Sequence, residues 1–153
     1  MAYVGNNTFA GNITINSNKV VFNTSTGKVT FTGSNAQSLN GSYNFLFEKL
    51  AISKSANNVT ANTTLSVDDT LFFVSGNIIT NPTNHLIMKA GSKYVGESNS
   101  SFVQGAILKI GNSSFKFPLG GKGGLHPIGI TAPSNSSDAF LALYDTSLIS
   151  SGE

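Results

Sequence analysis

The chain of 153 residues has no cysteine, no tryptophan and no arginine; all nine of its basic residues are lysines. Without cysteine there is no disulfide framework, no thiolate metal site and no cysteine nucleophile. Without arginine the planar fork that grips phosphates and guanine edges is missing. A net charge of +2 adds little attraction for a polyanion, so no nucleic-acid partner is expected. Charged residues make up only 10% of the chain, against about 25% in an average domain. No apolar run approaches the ~18 residues of a membrane-spanning helix, so no membrane insertion is expected.

What is present is equally uneven. The chain holds 18 Asn, 21 Ser and 14 Thr, about a third of its length. Hydrophobic residues at 39%, with 11 Phe, argue against disorder and for one packed domain. The opening, Met1-Ala-Tyr-Val-Gly5, lacks the charged and apolar regions of a signal peptide. Either the protein is cytosolic or the chain is a piece of a longer secreted protein; the opening reads as mid-protein strand sequence, so the second is expected. Asn-x-Ser/Thr triplets include those beginning at Asn6, Asn12, Asn23, Asn58, Asn62, Asn99, Asn112 and Asn135. They are potential glycosylation acceptors, but Asn, Ser and Thr alternating in short loops produce the same pattern.

Helical patterning is almost absent. Short runs with apolar residues two apart dominate, the period of a strand: Val20-Val-Phe22, Val29-Thr-Phe31, Phe45-Leu-Phe47, Leu50-Ala-Ile52, Leu71-Phe-Phe73 and Phe115-Lys-Phe117 among them. Gly, Asn and Ser clusters separate them, as turns require. The distances between runs carry more. Val29/Phe31, Leu50/Ile52 and Leu71/Phe73 recur at 21 and 21 residues. Leu65/Val67, Leu86/Met88 and Leu108/Ile110 recur at 21 and 22, and Phe45/Phe47 precedes them by 20. Two interleaved series sharing one period predict an all-β fold, a right-handed parallel β-helix with about 21 residues per coil. Inward Phe, Leu, Ile and Val then form columns, and Thr, Ser, Lys and Asn face out. The Asn and Ser excess becomes turn chemistry, with stacked Asn bonding to its copy one coil on.

After Phe117 the texture changes. A glycine-rich segment, Pro118-Leu-Gly-Gly-Lys-Gly-Gly124, precedes His126-Pro-Ile-Gly-Ile-Thr131 and a polar linker, and Ala139-Phe-Leu-Ala-Leu-Tyr144 follows as a strand. Residues 1–118 are therefore assigned to solenoid coils. Residues 119–153 are assigned to a cap of Gly/Pro-rich loop and β-strands, sandwich-like, the start of a following β region. Such a cap covers an edge that would otherwise pair with other chains.

This stretch carries a family resemblance. Gly105-Ala-Ile-Leu-Lys-Ile110, Phe115-Lys-Phe-Pro-Leu-Gly120 and His126-Pro-Ile-Gly-Ile-Thr131 resemble a recurring block of large Bacteroidetes surface proteins, although His126 stands where an aromatic Tyr is common. Val29-Thr-Phe-Thr-Gly33 and Ala36-Gln-Ser-Leu-Asn-Gly41 resemble repeats of the same proteins. The resemblance implies a secreted, adhesin-like, multi-domain protein built on a parallel β-helix, with no catalytic residues to carry over.

No catalytic site, cofactor or metal is expected from the remaining residues. Asp68-Asp69 is the only acidic pair and the one candidate for a cation or a glycosidase dyad. Adjacent strand residues point to opposite faces, so a solvated turn explains it better. His85 and His126 lack further ligands at metal spacing. Gly120-Gly-Lys-Gly-Gly124 lacks the Ser/Thr and helix of a phosphate loop. Thr24/Thr26 and Thr30/Thr32 place hydroxyls two apart, as on an ice-binding face, but Ala51 and Ser53 stand one coil beyond the second pair. The expected function is a non-catalytic structural or adhesive module of an extracellular surface protein. The alternatives are a glycan-binding module and, further off, a partial polysaccharide-acting enzyme or an ice-binding protein. Expected partners are glycans or other surface proteins, and end-to-end self-association.

Overall fold

A computed structural model describes residues 5–18, 22 and 27–145. Asn23, Thr24, Thr26, Tyr3 and the run beginning at Val20 lie wholly or partly outside the described residues. Among these residues every regular element is a strand, and the parallel strands wind into a β-solenoid of about five turns with roughly 21 residues per coil.

The larger sheet stacks β1 (Asn7–Phe9), β3 (Val29–Gly33), β5 (Phe45–Lys54), β7 (Leu65–Ser75), β9 (Leu86–Met88) and β12 (Ala106–Ile110), all in parallel. A further strand, β10 (Lys93–Val95), pairs with the second half of β7. The smaller sheet stacks β2 (Ile13–Ile15), β4 (Gln37–Gly41), β6 (Val59–Ala61), β8 (Ile78–Ile79) and β11 (Val103–Gln104), also in parallel.

The coil has three sides because β5 and β7 each cover two of them. Their pairing shifts register between Phe47 and Lys49, and there the chain bends from one arm of the sheet to the other. On the first arm Phe45 sits on Leu65, Leu65 on Leu86, and Leu86 on Ile107. On the second, Val29 sits on Leu50 and Leu50 on Leu71, the pairs expected from the 21-residue period. Thr30 stacks on Ala51 and Thr32 on Ser53, so the threonine pair is not repeated on the next coil.

The period follows from burial. Phe31, Phe45, Leu50, Ile52, Leu65, Leu71, Leu86 and Ile107 are fully shielded from solvent. Each buried side chain of this size stabilises the fold by roughly 1.5–3 kcal/mol. Slipping one coil by a single residue would turn its apolar set outward. The core of the N-terminal coils is aromatic. Phe22 contacts Phe45 and Phe47 at centroid separations of 5.9 and 5.2 Å, and Phe31 meets Phe47 edge-on at 6.0 Å.

The last coil corrects two expectations. The partners of Leu86 and Met88 are Ile107 and Lys109, not Leu108 and Ile110. Leu108 therefore faces out, and Lys109 faces in with no solvent exposure. Lys54 is also buried, so lysine is not confined to the outer surface. Both ammonium groups find backbone acceptors, which is what permits the burial.

Asparagine links the coils as turn chemistry requires. Asn62 Nδ2 donates to Asn40 Oδ1 at 2.8 Å, one coil apart. At another corner Asn12, Asn58 and Asn77 Oδ1 accept from the backbone N–H of Ser38, Asn77 and Phe102. Each side chain caps the backbone of the next coil and leaves its own turn unchanged.

Beyond Phe117 the direction reverses. A hairpin joins β14 (Gly120–Gly121) to β15 (Gly124–Leu125). Then β16 (Ile128–Ile130) runs antiparallel to β13 (Phe115–Phe117), and β17 (Ala139–Leu143) antiparallel to β12. The chain thus retraces two sides of the coil as a reversed sixth layer.

Candidate functional site

Three outward features could meet another molecule. The first is the bend that carries Asp68 and Asp69. Asp69 lies 3.5 Å from Lys49 on the preceding coil, and Asp68 lies 3.3 Å from Lys89 on the following one. The carboxylates diverge to cations on opposite sides. Thr70 Oγ1 also donates to Asp69 Oδ1 at 2.8 Å. That hydrogen bond, aided by Lys49, holds the Asp69 carboxyl below the usual range. Among the described residues no three His, Cys, Asp or Glu side chains cluster to hold a metal. The pair acts as a cross-coil clasp.

The other residues singled out in the sequence stand apart. His85 Nδ1 lies 3.0 Å from the Pro82 carbonyl within its own turn. His126 stacks on Tyr144 at a centroid distance of 4.9 Å. Lys122 sits at the tip of the β14–β15 hairpin, with no helix behind it.

Lys54 and Lys109 were not anticipated as buried residues. Lys54 Nζ donates to Thr32 O at 2.7 Å, Asn35 O at 2.8 Å and Gln37 Oε1 at 2.7 Å, using all three of its protons. Gln37 Nε2 in turn donates to Phe9 O and Gly11 O at 3.0 and 2.9 Å. One polar spine therefore ties three successive coils at a corner. Lys109 Nζ donates to Lys89 O at 2.7 Å and lies 5.1 Å from the Phe115 ring centroid. Desolvation lowers the pKa of both lysines. Each ammonium bonds to a carbonyl of the preceding coil and so fastens neighbouring coils.

The second feature is an open cleft of about 240 Å³ beside the turn that enters β5, lined by Ser17, Asn18, Tyr43, Asn44 and Leu46. Tyr43 is exposed there. An exposed aromatic ring flanked by amides and a hydroxyl offers a stacking face and hydrogen-bonding groups to a sugar.

The third is apolar. On the outside of the first arm Leu46 pairs with Ser66, Ser66 with Ile87, Ile87 with Leu108, and Leu108 with Leu141. The ridge leads to a groove of about 300 Å³ at the C-terminal end of the coils. That groove is lined by Phe117, Ile128, Ile130, Phe140, Ala142 and their strand neighbours. The strand period alone could have shown the ridge: Leu46 lies between inward Phe45 and Phe47, and Ile87 between inward Leu86 and Met88.

Comparison with family models, with curated proteins and with solved structures returns no match to this chain.

Proposed function

We propose that the chain is a non-catalytic structural and adhesive module of a large extracellular surface protein, serving as a stiff spacer or binding scaffold. The observation that carries this reading is the stacking of buried residue on buried residue through successive coils. Buried columns and continuous backbone ladders make a body whose cross-section cannot shear without breaking many contacts at once. At about 4.8 Å per coil, five coils span about 24 Å, so repetition of such coils sets reach. The ionisable groups serve the same end, with Asp68, Asp69 and Lys54 each joining neighbouring coils. The resemblance of the Gly105–Thr131 blocks to large Bacteroidetes surface proteins supports the extracellular setting.

Single-molecule stretching along the chain tests the reading. A stiff solenoid yields in discrete steps, each releasing one coil, about 70 Å of extended chain. Smooth extension without a force peak would overturn it.

A second reading, glycan binding, is favoured by the Tyr43 cleft. Its test is a glycan array probed with the chain and with Tyr43→Ala. Binding lost in the variant supports this reading, and an array without signal rejects it.

A further inference from the structure

We infer that β17 is an interface for a second copy of this chain, joined strand to strand about a twofold axis through Leu141. The inference is independent of the spacer reading. In the sheet β17 is terminal, hydrogen-bonded to β12 on one edge and to no described strand on the other. Natural edges of this kind are blunted by lysine, proline or a bulge. Ala139-Phe-Leu-Ala-Leu143 has none of these, and it pairs with β12 over five residues without a register shift. Among the described residues, half of the exposed large apolar side chains lie here or on the neighbouring strand: Ile128, Phe140, Leu141 and Leu143.

The sequence of the strand selects the occupant. Two antiparallel copies centred on Leu141 set Phe140 opposite Ala142 and Leu143 opposite Ala139, each pair occurring twice. Large meets small at every off-centre position, and Leu141 meets its own copy. The register with β12 puts Phe140 and Ala142 on the inward face, opposite Lys109 and Ile107. The copy's Phe140 would therefore point over Ala142 into the 300 Å³ groove, whose lining is apolar. On the outward face the two Leu141 side chains would join the leucine ridges of both copies. Charge does not oppose the contact, since each chain carries a formal net charge of only +2.

The absence of cysteine makes the test clean. Leu141 is 51% exposed and faces outward, so Leu141→Cys keeps the fold, and its thiol meets another only on a second copy. Treated with diamide, this variant should yield a species of twice the 16.0 kDa chain mass. Val74→Cys, at a position 61% exposed on the other arm, should stay at the chain mass. Sedimentation of the unmodified chain up to about 1 mM should show a monomer–dimer equilibrium, as expected of a small interface. Leu141→Lys should weaken it by about tenfold or more, because two ammonium groups would face each other. Three results would each overturn the inference: a monomer throughout with no cross-link, equal cross-linking of the two cysteine variants, or open-ended oligomers larger than a dimer.

Discussion

Replacing Lys54 by methionine isolates what a buried ammonium contributes to a solenoid corner. Methionine keeps most of the aliphatic stem, which packs close to Gly76, and removes only the donor. Three acceptors then lose their partner: two backbone carbonyls and Gln37 Oε1. An orphaned buried acceptor costs about 1–3 kcal/mol, and the low end applies to the two part-buried carbonyls. Dehydration of the charge, which opposes folding in the native chain, disappears at the same time. Taking the low end for each acceptor, the net loss is about 3 kcal/mol. For a domain of this length that lowers Tm by roughly 6–12 °C. Urea unfolding followed by circular dichroism measures it, since the chain has no tryptophan to report. Gln37→Ala combined with Lys54→Met should lose less than the sum of the single variants, because the two side chains share a hydrogen bond. A Lys54→Met protein as stable as the parent, or fully additive variants, would refute the argument that the spine fastens the coils.

Four further outcomes follow from the geometry. Tyr94 donates its hydroxyl proton to Lys116 O at 2.6 Å, and burial with help from Glu97 pushes its pKa up to about 12. The folded state thus holds this proton more tightly than the unfolded chain, whose tyrosine titrates near 10. The stabilisation is complete below pH 10 and is lost as pH rises from 10 to 12. Two pKa units correspond to at most ~2.7 kcal/mol, reduced to roughly 1–1.5 by solvent screening of the half-buried ring. Denaturation at pH 9 and pH 11.5 should show a fall of that size, absent in Tyr94→Phe. Gly105 has φ of +124° and faces the Thr80 carbonyl where a Cβ would collide. Gly105→Ala should cost more than about 3 kcal/mol in the same assay, through strain plus overpacking. Asp68→Asn breaks a half-exposed ion pair and should cost under about 1 kcal/mol. Because each carboxylate is engaged by its own lysine, millimolar calcium should leave the Tm of the parent unchanged.

The fold was largely legible because one inward residue every other position and one coil every 21 residues leave a double periodicity. Val29, Leu50 and Leu71 announce their stacking by spacing alone. Sequence and structure differ where periodicity and residue type disagree. Leu108 and Ile110 match the apolar pattern better than Ile107 and Lys109, yet backbone pairing sets Ile107 on Leu86. The antiparallel β17 then covers the outward leucine. Lys54 has the same parity as inward Leu50 and Ile52, so its burial was readable, but a long cation reads by default as a surface group. The Tyr43 cleft joins residues from two coils through a turn, and no linear spacing encodes that. Asp68 and Asp69 are expected in a solvated turn but lie within β7 at its bend, and their lysine partners stand on coils 20 residues before and 21 after, which no local pattern encodes.

The reversal at β17 has a consequence for growth. A stack of parallel coils has a head and a tail, and each new coil can template another on its open edge without limit. One strand laid down in the opposite sense ends that succession. A copy arriving tail-first would bring its Asn7–Phe9 strand beside a neighbour running the wrong way, and the coil-on-coil translation would be lost. At the edge it occupies, β17 thus opposes parallel coil-on-coil extension through strand direction instead of charge.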